Sequence, residues 1–223
     1  MNAIEVEHLS FAYSGGRKIL DDISFTVEAG QALVLAGLSG CGKSTLCRCL
    51  CGLIPKSVSG DFSGRILIQG QDLAQLDLAR AATLIGLVFQ NPDEQLICET
   101  VEDELAFGPE NLGWPPQEIQ RQVEAVMEEM GLTAFSGRDP GRLSGGQKKL
   151  VTIASVLIMG PQVLVLDEPM TGLDEDSRQL VERAIVRVRE SGRTVIAVEH
   201  DLAQAGYAQR ILYLREGKLY AEA

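Results

Sequence analysis

The sequence predicts an α/β fold. A parallel-centred sheet forms the core, an antiparallel β subdomain stands at the N-terminus, and an α-helical subdomain is inserted in the middle. Three observations predict it. Continuous apolar runs such as "ALVLA" and "VLVLD" have the composition of strands buried on both faces. These runs alternate with helical patterns, which argues for helices packed on a parallel sheet. From about Asn91 to Met159 the strand signal nearly vanishes, while "QEIQRQVEAVMEEM" puts apolar residues at 119, 123, 126, 127 and 130, a helical spacing.

Taken in order, "AIEVEHLSFAY", "KILDDISFTVEAG" and "RILIQG" read as N-terminal strands. "QALVLAG" is a buried strand ending in glycine, with a helix expected from Lys43. "TLIGLVFQ" is the next strand and leads into the helical insertion. "VLVLDEP" and "TVIAVEH" are two more buried strands, with a helix from about Glu175 to Glu190 between them. "RILYLREGKLYAEA" reads as a terminal hairpin turning at Glu216-Gly217. The expected organisation is one domain over 1–223, with an α/β core from 1–90 and 160–223 and a helical subdomain from 91–159. No internal repeat and no low-complexity linker is visible.

At 45% apolar residues the chain can bury one sizeable core. A net charge of −11 argues against a nucleic-acid partner, which would need a basic face. Five cysteines without framework spacing point to reduced thiols in a cytosolic compartment. Cys47, Cys49 and Cys51 alternate as a metal site might, but on a helix Cys49 points away from the other two, so they read as small buried residues. "MNAIEVEHLSF" has no basic region and no long apolar stretch, so it does not read as a signal peptide. The run from Leu150 to Leu166 is broken by "GPQ" and falls short of the ~20 apolar residues of a spanning helix. The chain is therefore not expected to cross a membrane by itself.

"GLSGCGKS", Gly37 to Ser44, fits G-x-x-x-x-G-K-[ST] between a strand and a helix, the pattern and context of a P-loop. Gly37, Leu38, Ser39, Gly40, Cys41 and Gly42 would present backbone N–H groups to a nucleoside triphosphate, glycine allowing the tight bend. The helix N-terminus adds its positive dipole end. Lys43 is expected at the β- and γ-phosphates, Ser44 on Mg²⁺ and Thr45 on the α-phosphate side. Lys43 and the helix N-terminus are also expected to favour the thiolate of Cys41. "VLVLDEP" delivers two carboxylates to the carboxyl end of a buried strand, where open α/β sheets bind ligands. Asp167 is placed to hold Mg²⁺ through water, and Glu168 to orient or deprotonate an attacking water.

"LSGGQ", Leu143 to Gln147, completes a pattern that resembles the ATP-binding cassette ATPases over almost the whole chain. The fold class is then a P-loop NTPase core, and the resemblance implies ATP and Mg²⁺ as ligands. It also implies that Ser144, Gly145, Gly146 and Gln147 grip the γ-phosphate of ATP held by a second subunit, so that one chain cannot complete a site. Tyr13 resembles the aromatic that stacks on adenine, with core packing as the other reading of that ring. Gln90 resembles the glutamine that touches Mg²⁺ and senses the γ-phosphate. Asp174, in "TGLD", resembles the aspartate that communicates across the dimer, and His200, in "AVEHD", the histidine on the γ-phosphate. His8 has no such support and reads as a surface or packing residue.

The segment "VFQNPDEQLICETVEDELAFGPENLGWP" is similar to the ATPases of energy-coupling factor transporters, importers of vitamins such as biotin or of cobalt and nickel. That implies a peripheral protein at the cytoplasmic face of the cell membrane, with transmembrane transporter subunits as partners. Many such ATPases carry a C-terminal extension, often in heterodimers. The sequence ends after the hairpin, which makes a homodimer the expectation and a heterodimer with a related ATPase the alternative. Lys148 and Lys149 stand where many relatives have glutamine and arginine and are expected to keep the positive charge there. From Asp93 to Glu129 there are eleven acidic residues and one basic residue, Arg121. This surface is either simply solvated or a docking face, with Asp93 and Glu94 in a groove for a basic helix. An exporter ATPase is the nearest rival reading. A DNA-repair or translation cassette fits less well, because only 98 residues separate Ser44 from Leu143 and the chain has one cassette. A P-loop GTPase would need an N-K-x-D motif, which is absent from the sequence.

Overall fold

The structure, a computed structural model, describes residues 1–221. The chain begins with strands β1 (Asn2–Tyr13), β2 (Lys18–Glu28) and β3 (Ala32–Ala36), followed by helix α1 (Lys43–Leu50) and a short helical turn, α2 (Leu53–Lys56). Strands β4 (Gly60–Ile68) and β5 (Gln71–Asp72), helix α3 (Leu78–Ala82) and strand β6 (Ile85–Val88) follow. The chain then runs only through helices: α4 (Val101–Asn111), α5 (Pro116–Met130) and α6 (Gly145–Leu157), with short 3₁₀ turns between them. It returns through β7 (Val163–Asp167), α7 (Glu175–Glu190), β8 (Thr194–Glu199), β9 (Arg210–Arg215) and β10 (Lys218–Ala221).

Two sheets result. One is antiparallel, in the order β2-β1-β4-β5, and the other runs β10-β9-β3-β8-β7-β6. In the second sheet β9, β3, β8, β7 and β6 are mutually parallel and β10 is antiparallel to β9. The expected hairpin is present, with Arg215 opposite Lys218 across Glu216 and Gly217, both at positive φ, as a tight two-residue turn requires. Its expected last two residues, 222–223, lie outside the described residues.

In the antiparallel sheet two details differ from the sequence reading. β4 starts at Gly60, well before "RILIQG", because Gly60 pairs with Tyr13 and the strand follows β1 back to Ile4. A Cβ at Gly60 would collide with the Ala12 carbonyl oxygen and the Phe11 ring, so close approach to β1 dictates the glycine. The two-residue β5 was also not anticipated.

Alternate residues of the central strands serve opposite faces of the large sheet, as their pleat requires. Leu33 and Leu35 of β3 join a core with β1, β2, β4 and α1, while Ala32 and Val34 join a second core with α4, α5, α6 and α7. β7 divides likewise, Val163 and Val165 to the first core and Leu164 and Leu166 to the second. α5 buries Ile119, Val123, Val126, Met127 and Met130, the stripe that the spacing predicted. Among the described residues no helix is long and apolar enough to cross a membrane.

Candidate nucleotide site

The phosphate loop leaves β3 at Ala36 and enters α1 at Lys43. Gly37 donates its N–H to the Glu199 carbonyl at 3.1 Å, and a Cβ there would strike the Leu214 carbonyl and the Cys41 sulfur. Gly40 and Gly42 sit at φ 78° and 107°, a region that favours glycine. Leu38, Ser39 and Gly40 are exposed, Leu38 at 81%. The Lys43 ammonium is buried and donates to the carbonyls of Gly37 at 2.8 Å and Leu38 at 3.2 Å. It also lies 3.2 Å from Glu168 Oε1. An open cleft of about 1220 Å³ runs along Gly37–Cys41, flanked by Arg17, Lys18, Tyr213 and Tyr220.

Glu168 gathers four other predicted residues or their neighbours. It follows the last residue of β7 at φ 44°, a strained conformation for glutamate, and its N–H is held by the Val198 carbonyl at 3.1 Å. Its Oε2 accepts from Gln90 Nε2 at 2.8 Å and from the Thr171 hydroxyl at 3.2 Å, and lies 3.3 Å from His200 Nδ1. Segments far apart in sequence thus converge on one carboxylate: Gln90 lies just past β6, Lys43 opens α1 and His200 follows β8. Beside it, the Ser44 hydroxyl donates to Asp167 Oδ1 at 3.2 Å. Burial foremost pushes the Asp167 carboxyl up from its ordinary range, against the hydrogen bond from Ser44.

Tyr13 reaches the same region. Its hydroxyl lies 3.3 Å from Thr45 Oγ1, and its ring packs edge-on to Phe11 with centroids 4.9 Å apart. The ring is half-buried at the rim of the first core, so it combines packing with a position beside Thr45.

The "LSGGQ" segment builds a capped helix end. The Ser144 Oγ accepts from the Gln147 N–H at 3.3 Å and Gln147 Oε1 accepts from the Ser144 N–H at 3.0 Å, a capping box at the start of α6. Sequence reasoning assigned Gln147 to phosphate alone, but its side-chain carbonyl is taken up within its own helix. Ser144 and Gly145 are exposed. Gly146 is buried, and a Cβ there would sit 2.8 Å from Ser177 Cβ in the first turn of α7. Asp174 caps α7 by accepting from the Ser177 N–H at 2.8 Å, which holds its carboxyl below the usual range.

One expectation is corrected. The Cys41 thiol is pushed up, not down, because partial burial outweighs the attraction of Lys43. Cys47, Cys49 and Cys51 are all buried, and burial pushes Cys49 up to about 12. His8 lies on the surface with Nδ1 2.8 Å from Asp22.

Several contacts around the site are not anticipated by the sequence reading. Lys149, fully buried on α6, donates to the carbonyls of Phe89 at 3.1 Å and Gln90 at 2.7 Å. Burial pushes its ammonium down to about 8, with Asp167 and Glu199 pulling it back up. Glu199, fully buried at the end of β8, accepts from the Tyr207 hydroxyl at 3.4 Å. Glu104 on α4 accepts from the N–H groups of Ile97 and Cys98, each at 2.8 Å, and so fixes the segment that follows Gln90. No local pattern announced these contacts, which join residues brought together by the fold. In the acidic stretch, Asp93 is already bonded to Lys148 Nζ at 2.6 Å.

A strand that feeds a glycine loop into a helix, with two carboxylates at the end of a nearby parallel strand, is the arrangement of a P-loop nucleotide-binding protein. Comparison with known proteins narrows this. The family model described as ABC transporter matches residues 20–171, and the chain belongs to that family, whose enzymatic activity is hydrolysis of bound ATP. The energy-coupling factor transporter ATP-binding protein EcfA1 of Streptococcus thermophilus is 39% identical over 219 residues, covering 97% of this chain and 78% of that protein. EcfA of Methanothermobacter thermautotrophicus is 38% identical over 222 residues, covering 98% of this chain and 70% of that protein. Among solved structures, CbiO1 from Clostridium perfringens, part of the ABC transporter complex CbiONQ, superposes with a TM-score of 0.87. It is 32% identical and covers 98% of this chain and 87% of that one.

Proposed function

We propose that the chain is the ATP-hydrolysing subunit of an energy-coupling factor importer of a micronutrient, a vitamin such as biotin, or cobalt or nickel. It works at the cytoplasmic face of the membrane beside transmembrane partner subunits. The observation that carries the catalytic assignment is the convergence of Lys43, Gln90 and His200 on Glu168. Glu168 is then the base for the attacking water, Gln90 and His200 hold it in register, and Lys43 meets the phosphates. Ser44, Asp167 and Gln90 would hold Mg²⁺. They offer only oxygen and amide donors, which suit a hard cation, and two of them already lie 3.2 Å apart. The ion neutralises charge on the phosphate oxygens when bound.

Two copies of the chain pair with each phosphate loop against the other's "LSGGQ". The exposure of Leu38, Ser39 and Gly40 on one side and of Ser144 and Gly145 on the other supports this reading. ATP closes the pair, and hydrolysis with product release reopens it. The segment after Gln90, held by Glu104 and carrying Ile97 at 66% exposure, carries the motion to the membrane subunits. In the test, Glu168→Gln is purified beside the unaltered chain. The variant keeps ATP binding, loses turnover by roughly 10²–10⁴-fold and runs as an ATP-dependent dimer in light scattering. Near-normal turnover would remove Glu168 from its role. A variant that stays monomeric with ATP would sink the pairing. Co-purification with membrane proteins tests the importer reading separately.

A further inference from the structure

We infer that Lys149 is a positioning residue that ties the signature helix α6 to the main chain of Gln90, so that α6 and the catalytic carboxylate are set together. The inference rests on the catalytic reading of Glu168 given above. β6 ends at Val88, and the next two carbonyls, of Phe89 and Gln90, lie beyond its ladder. Carbonyls that leave the ladder still need a partner, from water or from a side chain. The Lys149 ammonium meets both, at 3.1 Å and 2.7 Å, from a side chain with no exposed surface. Gln90 in turn bonds Glu168 Oε2 at 2.8 Å through its side chain. A path therefore runs from α6 through Lys149 and Gln90 to Glu168, two hydrogen bonds joined by the covalent frame of Gln90.

The same helix carries Ser144 at its N-cap. Lys149 lies five helical steps beyond Ser144, roughly 7.5 Å of rise. A helix is stiff over that length, so any tilt of α6 that follows engagement of Ser144 is handed on to the Gln90 carbonyl. Asp167 on β7 and Glu199 on β8 supply the negative surroundings that let a buried cation hold this place. Neutralising those carboxylates is the competing role, and it would be purely structural.

A double-mutant cycle separates the two. Lys149→Met keeps length and volume but removes the donors, and Gln90→Ala removes the side chain through which the path must pass. Steady-state ATP turnover, ATP affinity and melting temperature are measured for the unaltered chain, both single variants and the double variant. Lys149→Met is expected to lower kcat by roughly ten- to a hundredfold with ATP affinity within about twofold of the original. In the Gln90→Ala background the same change should lower kcat by less than about twofold, since the path is already cut. A folded Lys149→Met with kcat within twofold of the original overturns the inference, as do effects of the two changes that multiply. If Lys149→Met does not fold, Lys149→Gln carries the same cycle. Failure of both to fold would assign Lys149 a structural role only. Turnover by the unaltered chain in the same assay, together with Glu168→Gln, tests the catalytic reading independently. Active Glu168→Gln would overturn that reading, whereas a multiplying cycle with inactive Glu168→Gln would overturn only the role of Lys149.

Discussion

Glu199 is a carboxyl group taken out of water. It has no exposed surface, its Oε1 accepts from Tyr207 and, among the described residues, its Oε2 meets no hydrogen-bond donor. Burial first, and then the charge of Glu168, push its carboxyl from 4.5 up to about 8. Between those values the folded chain holds a proton that the unfolded chain has released. The stability from that proton is complete below about 4.5 and is lost as pH rises through about 8. Lys149 acts in the opposite sense on the alkaline side. Its ammonium falls from 10.5 to about 8, so stability tied to it returns as pH climbs between those values. Glu199→Gln cannot titrate. Its melting temperature should therefore gain on that of the unaltered chain steadily from pH 5 to pH 8, and a difference independent of pH would refute the assignment. Cys41 gives a second test at this scale. Its thiol is pushed up by burial within the phosphate loop, so alkylation by iodoacetamide should be slow at neutral pH and accelerate past pH 9. ATP should protect the enzyme and Cys41→Ser should resist inactivation. Inactivation of Cys41→Ser at an unchanged rate would place the sensitive thiol elsewhere.

The first turns of α6 and α7 touch at a point where only glycine fits. Gly146→Ala would place its methyl 2.8 Å from Ser177 Cβ and 3.1 Å from Ser177 Cα, a contact with no flexible partner to yield. Overpacking of this kind costs about 1–3 kcal/mol, or roughly 2–4 °C of melting temperature per kcal/mol in a domain of this size. It should also move Ser144, so ATP turnover should fall more than stability does. An alanine variant with normal melting and turnover would show that the two helices are not seated against each other. Such elements were unevenly legible in the sequence. β3, β7 and β8 could be read because strands buried on both faces are continuously apolar, and α5 because its five buried residues repeat at helical spacing. The start of β4 at "GDFSG" could not, since its strand character comes from pairing with β1 and not from its own side chains. In the site, Gly37–Ser44, Asp167 and Glu168 were legible as local patterns with chemical meaning. The capping box of Ser144 and Gln147 is legible in the same five residues that the family resemblance assigns to phosphate. Lys149 was hidden for another reason, since its partners Phe89 and Gln90 lie about sixty positions away.

Charge is divided unevenly across the whole molecule. The stretch from Asp93 to Glu129 holds eleven acidic residues and one basic residue. Two of its acids draw cations from elsewhere, Asp93 from Lys148 and Glu129 from Arg193. On the proposed importer reading, the remaining negative potential would meet a basic helix of the membrane subunits, with exposed pairs contributing only ~0–1 kcal/mol each. Asp93→Asn combined with Glu94→Gln should lower recovery of the complex with those subunits at low salt, and the deficit should shrink at high salt. ATP binding by the free chain should stay unchanged. Equal recovery at both salt levels would leave the acidic face as solvated surface. The order of strands in the large sheet has a consequence for how the chain is made. β3, which launches the phosphate loop, is flanked by β8 and β9 alone, so Ala32 waits for Val195 and Leu33 for Arg210. A nascent chain that has reached α7 already contains the entire loop and both carboxylates. Yet it has no strand on either side of β3 to hold them. The nucleotide site can therefore only take shape once β8 and β9 have followed the loop out of the ribosome.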